Sequence, residues 1–262
     1  MRDNPVKRKL ARGEPVFGPM ILDFINPGLA QIVANAGADF IMYDQEAGCL
    51  DTGGLKNQLA LCRGLGLVPL VNPAWDDYHT LVRPLDMGAM GLMTPVVQTK
   101  EQAERIAKLT HYPPRGARGV AFGIAHDDYD LGAIAPKIRA ADARILNIVK
   151  IETKKGVENV DAIMAVPGID VAFIGHMDLS VSLGVPGKFD HPVYRAAEAK
   201  ILRACRKHGK AAGCMAMDAK AGKRRLKQGF RFIVTATDVF LLSTALGGMI
   251  DELKPKPKRR WR

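Results

Sequence analysis

Eight short apolar segments that alternate with helical patterns constrain the fold of this 262-residue chain more than any other feature. The first covers residues 16–22 and the last residues 230–235, and they are rich in branched residues, as strands buried in a parallel sheet are. Eight strand–helix repeats are typical of a (β/α)8 barrel, which usually needs about 250 residues. We therefore predict an α/β fold with TIM-barrel architecture.

An open, doubly wound sheet would show the same alternation of strands and helices. No glycine-rich dinucleotide motif follows the first strand, which favours the barrel. A barrel also gathers polar residues just beyond the carboxyl ends of its strands. Four of the predicted strands are followed by such residues, namely Asp44, Glu46, Asn72, Glu152 and Asp178. Lys150 should share the inward face of its strand with Glu152, since the two are two residues apart.

The net charge of +11 is concentrated at the chain ends. Residues 254–262 contribute +6 and residues 1–12 contribute +4, which leaves about +1 for the rest. We predict a basic, flexible segment at 1–15, a barrel domain at 16–253 and a basic tail at 254–262. The tail could bind polyanions weakly. The nearly neutral body gives no indication of a specific nucleic-acid partner.

Cysteine usage and hydropathy bear on the compartment. The four cysteines, Cys49, Cys62, Cys205 and Cys214, lack CxxC spacing, and no secretory signal is evident. We expect reduced thiols in a cytoplasmic protein. No apolar run reaches eighteen residues, so we expect no membrane span.

A strand–helix–strand unit at residues 145–180 carries the strongest candidate site. Glu152 follows the first strand of this unit and Asp178 follows the second. Neighbouring parallel strands end on one rim, so the two carboxylates could share a hard cation such as Mg²⁺ or Mn²⁺. The alternative is that Glu152 pairs with Lys150 or Lys154, and that Asp178 only caps a helix.

Several motifs together resemble the HpcH/HpaI aldolase family, the 4-hydroxy-2-oxoheptanedioate aldolases and their relatives. The similarity extends from about Phe17 to Gly248. It is carried by the segments AGADF at 36–40, LDMGA at 85–89, YPPRGARG at 112–119, IET at 151–153, FIG at 173–175, DLS at 178–180 and GKFDHP at 187–192.

The resemblance implies a (β/α)8 barrel that forms homo-oligomers, trimers or hexamers, and exchanges its last helix between subunits. It also implies metal-dependent cleavage of 4-hydroxy-2-oxoacids to pyruvate and an aldehyde. Glu152 and Asp178 would be the metal ligands. The backbone amides around Gly175, His176 and Met177 would hold the pyruvate carboxylate. Asp86 would be the carboxylate that pairs with the general base.

Four positions depart from the family pattern. The Asp-x-Glu-His motif falls on Asp44-Gln45-Glu46-Ala47, so Ala47 stands where the catalytic histidine should be. Asn72 replaces the arginine that stabilises the enolate oxygen, Lys150 replaces a glutamine, and Met20 replaces a tryptophan near the substrate. The predicted metal ligands are therefore retained, and Asp44 and Glu46 are expected to support them without binding the metal directly. The predicted acid–base residues are changed.

These residues predict a divalent-metal-dependent carbon–carbon lyase, an aldolase or decarboxylase, that acts on a 2-oxoacid through a pyruvate enolate. The alternatives are another enolate reaction, such as condensation, cyclisation or hydrolysis, and a non-catalytic protein that binds an acidic metabolite. Lys150 could be a charge partner of Glu46 and Glu152 or a base, and as a cation it could replace the missing arginine. His126 lies in an irregular segment that is either a lid or a solvated loop.

Overall fold

The computed structural model describes residues 1–48 and 50–254, which form a closed barrel of eight parallel strands. Each strand pairs with the next one in the chain, and the last pairs with the first. The strands are β1 (Val16–Ile21), β2 (Phe40–Asp44), β3 (Val68–Asn72), β4 (Gly91–Thr94), β5 (Leu146–Ile151), β6 (Val171–Ile174), β7 (Ala211–Met215) and β8 (Phe232–Thr237). The predicted (β/α)8 barrel is confirmed.

Helices connect the strands and surround the barrel. They are α1 (Pro5–Ala11), α2 (Leu29–Asn35), α3 (Thr52–Leu61), α4 (Tyr78–Met87), α5 (Lys100–Thr110), α6 (Ile134–Arg144), α7 (Lys154–Glu158), α8 (Val160–Ala165), α9 (His176–Ser182), α10 (Pro192–Lys207), α11 (Ala219–Gln228) and α12 (Asp238–Leu253). A capping box starts α5, with Thr99 and Gln102 in reciprocal hydrogen bonds.

Two helix ends differ from what simple sequence rules give. A proline often ends a helix, but α4 continues through Pro84 to Met87. Burial of Leu81 and Leu85 on both sides of the proline supports the last turn. Aspartate is a common N-cap residue, but His191 caps α10 and Asp190 pairs with Arg195.

Strand residues alternate between two apolar layers. Phe40, Met42 and Phe173 belong to the cluster inside the barrel, whereas Ile41 and Tyr43 pack in the layer between the barrel and its helices. This alternation fixes which residues face inwards at the carboxyl ends of the strands. Continuing it along β2 places Asp44 inside, two residues after Met42.

Residues 1–15, expected to be a flexible basic segment, contain helix α1, which closes the amino end of the barrel. Val6 is fully buried within the interior cluster. The side-chain amide of Asn4 donates to the carbonyl oxygens of Met90 and Arg144 at 3.1 and 2.8 Å. These buried contacts, which the charge pattern does not reveal, anchor the segment.

Helix α12 is exposed over almost its whole length in the single chain, and Asp238 is its one buried residue. Leu242 and Leu246, one turn apart, are each more than half exposed. Cavities of about 460 and 300 Å³ lie beside its start, on the outer face of β1 and β8, and both are lined in part by Phe17 and Leu241. Within the described ranges, no helix is both long and apolar enough to cross a membrane. Predictions about Cys49 and the tail beyond Lys254 lie outside the described residues.

Candidate active site

The carboxyl ends of β2, β3 and β5 bring four polar side chains together, as their positions in the sequence predict. Asp44 and Asn72 are direct neighbours in the register of β2 and β3. Lys150 is the fifth residue of β5, and Glu152 follows that strand directly. Interior-facing residues of different strands meet at this end of a barrel because their strands run parallel.

Asn72 and Lys150 both bind the carboxylate of Glu46. The Asn72 amide donates to Glu46 Oε2 at 2.9 Å and to Asp44 Oδ1 at 3.0 Å. The Lys150 ammonium forms an ion pair with the same Glu46 oxygen. Asn72 is completely buried, so its hydrogen bonds hold the two carboxylates in place from inside the barrel. Its predicted contact with substrate stays a prediction.

Asp44 shapes the turn that carries Ala47. Its Oδ1 accepts hydrogen bonds from the backbone N–H groups of Glu46 and Ala47 at 2.7 and 3.2 Å. The buried carboxylate thereby fixes the loop after β2. The methyl group of Ala47 supplies no acid or base at this position.

Glu152 is buried and has one carboxylate oxygen without a hydrogen-bond donor among the described residues. Its Oε1 accepts from the backbone N–H of Val96 at 2.7 Å, and its Oε2 is the unpartnered oxygen. The Lys150 ammonium lies 3.7 Å from Oε2. Burial raises the pKa of Glu152 to about 7, and the positive charge of Lys150 opposes this shift only in part.

Gly175 and Asp178 complete this side of the site. A methyl group built at Gly175 would lie 2.3 Å from Glu152 Oε2, so the end of β6 approaches the carboxylate too closely for any residue other than glycine. Asp178 lies in the first turn of α9, and its negative charge contributes to the raised pKa of Glu152. The two acidic groups are therefore electrostatically coupled.

The donor set suits a hard divalent cation with few protein ligands. A buried carboxylate oxygen without a donor, coupled to a second carboxylate, is a combination that favours a bound cation. Among the described residues, no group of three or more His, Cys, Asp or Glu side chains is placed to hold a metal. Mg²⁺ commonly binds one or two carboxylates and completes its shell with water and substrate oxygens, so Glu152 and Asp178 fit it.

His176 and Met177 were both predicted to lie near the substrate. The His176 ring packs against Phe189, with ring centroids 5.3 Å apart, and burial lowers its pKa. Met177 is 57% exposed. Gly175 caps α9 and forms no side-chain hydrogen bond to the first turn. The backbone N–H groups of that turn are therefore the donors that the predicted contact with the substrate carboxylate would use.

Asp86 lies on α4, where it forms an ion pair with Arg118. The Arg118 guanidinium donates to Asp86 Oδ1 at 2.6 Å and stacks on the Tyr112 ring, 4.7 Å from its centroid. No described hydrogen bond joins Asp86 to the loop that carries Ala47. With no histidine at Ala47, the proposed partner of Asp86 is missing.

His126 is fully buried in the irregular segment and does not lie on a solvated loop. Its Nε2 is 2.7 Å from the Ala121 carbonyl oxygen, and its ring packs near Phe122. The buried ion pair between Asp127 and Lys137, at 2.7 Å, holds the same segment. This segment is therefore internally packed around His126.

Two residues that position the site are absent from the sequence-based prediction. Val96 has a left-handed backbone conformation, with φ of 52°, and directs its N–H to Glu152. Asp238 accepts three hydrogen bonds of 2.7–3.0 Å from the N–H groups of residues 22–24, after β1. No local pattern indicates the Val96 contact. The acidic position of Asp238 at a helix start was a weak signal for its role.

Comparison with known proteins identifies the family. A family model described as HpcH/HpaI aldolase/citrate lyase matches residues 20–245. The chain belongs to this family. The resemblance inferred from the motifs is thus confirmed. The matched range includes the polar residues described above, namely Asp44, Glu46, Asn72, Lys150, Glu152 and Asp178.

Two curated relatives and one solved structure are similar over nearly the whole chain. The chain is 35% identical to a hydroxypyruvate/pyruvate aldolase of Paraburkholderia phytofirmans, over 96% of this chain and 98% of the relative. It is 34% identical to a 2-keto-3-deoxy-L-rhamnonate aldolase of Klebsiella pneumoniae, over 93% and 90%. The crystal structure of an HpcH/HpaI aldolase from Desulfitobacterium hafniense has a TM-score of 0.91 at 30% identity, over 96% and 97%.

Proposed function

We propose that this protein is a divalent-metal-dependent carbon–carbon lyase that acts on a 2-oxoacid through a pyruvate enolate. Family membership and the aldolase names of its relatives support this class of reaction. The observation that carries the proposal is the buried Glu152 carboxylate, which has an oxygen without a donor among the described residues and feels the negative charge of Asp178.

Glu152 and Asp178 would hold the cation, with Mg²⁺ or Mn²⁺ as the proposed metal. When bound, such a cation withdraws electrons from the 2-oxo and carboxylate oxygens of the substrate as a Lewis acid. Gly175 keeps any side chain away from the unpartnered Glu152 oxygen. The amides of His176 and Met177 are the proposed contacts of the substrate carboxylate.

Lys150 is the proposed replacement for the positive charge of the arginine that the family pattern has at position 72. Its ammonium is held between Glu46 and Glu152, so it stabilises negative charge that develops on the enolate oxygen. Asn72 is bonded to Glu46 and Asp44, and its proposed role is to fix the acidic group that faces Lys150.

Glu46 is the proposed proton acceptor in aldol cleavage. His126 is bonded inside its segment and His176 packs against Phe189, whereas Glu46 is partly exposed beside Ala47. In cleavage, Glu46 takes the C4 hydroxyl proton, the C3–C4 bond breaks, and the electron pair of that bond forms the enolate. The enolate carbon then takes the proton back from Glu46, which gives pyruvate and restores the Glu46 carboxylate. Decarboxylation of oxaloacetate forms the same enolate by loss of CO₂ and needs no base at Ala47.

We further propose that the protein is a homo-oligomer in which α12 packs on a neighbouring subunit. The exposed leucines of α12 and the two cavities on the outer face of β1 and β8 support this arrangement. A trimer or hexamer is the proposed assembly, and a small-molecule 2-oxoacid is the proposed substrate.

The test is pyruvate release from oxaloacetate and from several 4-hydroxy-2-oxoacids, with Mg²⁺, with Mn²⁺ and with a chelator. We expect metal-dependent release that Glu152→Gln abolishes. Glu46→Gln should lower aldol cleavage about 100-fold and affect decarboxylation much less. The absence of metal-dependent release from every substrate would contradict the proposal.

A further inference from the structure

The mouth of the barrel is divided into two chemically different arcs. The charged arc consists of Asp44, Lys150 and Glu152 together with the neutral Asn72, which lie in β2, β3 and β5 or directly after β5. Strands β7, β8 and β1, which the structure describes completely, contribute no carboxylate, ammonium, guanidinium or imidazole group. Among the strand residues themselves, charged side chains at the mouth are therefore confined to one side of the barrel.

The apolar arc consists of Met20, Leu22 and Met215. Met20 is a member of the interior cluster, and Leu22 and Met215 pack against that cluster while remaining partly exposed. All three lie at the carboxyl end of β1 or β7. Apolar side chains that face the interior here and keep an exposed part form a wall of the open mouth.

Strand register places Met215 at the same level as Glu152. Lys150 pairs with Phe173 across β5 and β6, and Phe173 pairs with Gly213 across β6 and β7. Two residues further along each strand, Glu152, Gly175 and Met215 lie in one layer. Neighbouring strands are about 4.8 Å apart, so Met215 is roughly 10 Å from the β5 position around the barrel. A chain of a few carbon atoms spans that distance.

A ligand that extends from the charged arc to the apolar arc must be apolar at its far end. A hydroxyl group placed against Met20, Leu22 and Met215 would lose its hydrogen bonds to water, and the nearby Asp238 carboxylate already accepts three backbone N–H groups. A methylene group in the same place gains from leaving water. The two arcs therefore discriminate between hydrocarbon and polyhydroxylated substrates.

We infer that the 2-oxoacid substrate of this site carries a hydrocarbon group on the half remote from its carboxylate, and that Met20, Leu22 and Met215 select it. This inference rests on the proposed function, since it assumes that the 2-oxoacid end lies at Glu152. It specifies the aldehyde product as an aliphatic aldehyde.

Binding of 2-oxoacids tests the inference without turnover. Calorimetry on the full-length protein with Mn²⁺ should give Kd values that fall about fourfold for each added methylene from pyruvate to 2-oxohexanoate. Met215→Gln should remove most of this gradient, whereas Met215→Leu, which keeps an apolar side chain, should retain it. Leu61→Gln, on the outer surface of α3, is the matched control and should leave the gradient unchanged. A flat or reversed gradient in the wild type would overturn the inference.

Turnover separates this inference from the proposed function. In aldol addition to pyruvate, kcat/KM should be higher for hexanal than for butanal and higher for butanal than for glyceraldehyde. A metal-dependent reaction that prefers glyceraldehyde would overturn the inference and leave the lyase proposal intact. The Kd gradient without addition to any aldehyde and without pyruvate release would refute the lyase proposal and support the apolar subsite.

Discussion

At the scale of single residues, the site is a balance of buried charges. Lys150 faces two acidic groups, Glu46 and Glu152, and Asn72 adds a neutral donor to one of them. Burial nevertheless dominates at Glu152, because removing a carboxylate from water costs more than one partly shielded cation returns. A bound divalent cation would offset the cost of keeping the Glu152 carboxylate ionised in its buried position.

Glu152→Gln should stabilise the metal-free protein at alkaline pH. The folded protein raises the pKa of Glu152 from 4.5 to about 7, so ionising this group costs folding free energy as the pH rises through that interval. Below it, both proteins carry a neutral side chain and should have similar stability. At about pH 8 we expect the variant to be more stable by roughly 2–3 kcal/mol. Urea denaturation with a chelator, below pH 4.5 and at about pH 8, measures the difference in the free energy of unfolding between the two proteins. A difference that does not depend on pH would refute this account.

Ala47→His combined with Asn72→Arg should increase aldol cleavage. A positioned histidine base contributes about 100-fold or more, and an arginine adds charge beside the enolate oxygen. Decarboxylation of oxaloacetate, which needs no base, should rise much less. Steady-state rates of both reactions for the double and the two single variants decide this. Equal changes in the two reactions would show that the histidine does not act as a base.

At the scale of elements, the start of α12 organises the loop after β1. Asp238 accepts hydrogen bonds from three consecutive backbone N–H groups, at residues 22–24. It is nearly buried, so these charge-assisted bonds are shielded from water. The contact places Leu22, and with it one edge of the apolar arc, relative to the last helix.

Asp238→Ala should loosen this loop and destabilise the fold. Hydrogen bonds to a buried charged group contribute about 1.5–3 kcal/mol each, and the three share one acceptor, so we expect a loss of about 3 kcal/mol. Hydrogen exchange at residues 22–24 should accelerate together with this loss. Asp251→Ala, at the exposed end of the same helix, is the control and should change stability by less than about 0.5 kcal/mol. Unchanged exchange in the first variant would contradict the proposed role of Asp238.

At the scale of the whole molecule, the barrel is closed at one end and incompletely covered on one side. Helix α1 seals the amino end through Val6 and Asn4. The outer face of β1 and β8 keeps two cavities next to α12, whose Leu242 and Leu246 are more than half exposed. An exposed apolar helix beside apolar cavities is the usual signature of an interface.

Leu242→Glu combined with Leu246→Glu should dissociate the proposed oligomer. The two leucines lie one helical turn apart and both are exposed, so the change costs little in the isolated subunit but buries two charges in an interface. Sedimentation velocity should show a change from the assembly to a single chain. Leu131→Glu, at a position that is 92% exposed, is the control and should leave the mass unchanged. A wild-type protein that sediments as a single chain would refute the oligomer.

The sequence by itself determined the repeating elements and the residues at their ends. The alternation of strands and helices, and the polar residues that follow β2, β3 and β5, depend on neighbours along the chain, so local patterns encode them. Glu152 was identifiable because it directly follows a strand. The family assignment rested on motifs of the same local kind.

Only the tertiary structure decided which distant groups meet. The Val96 N–H on Glu152, the position of Lys150 between two carboxylates and the hold of Asp238 on residues 22–24 join segments far apart in the chain. Closure of the barrel and the register of its strands set those contacts, and no short pattern records them. The division of the mouth into charged and apolar arcs has the same origin, because it depends on which strands lie side by side around the barrel.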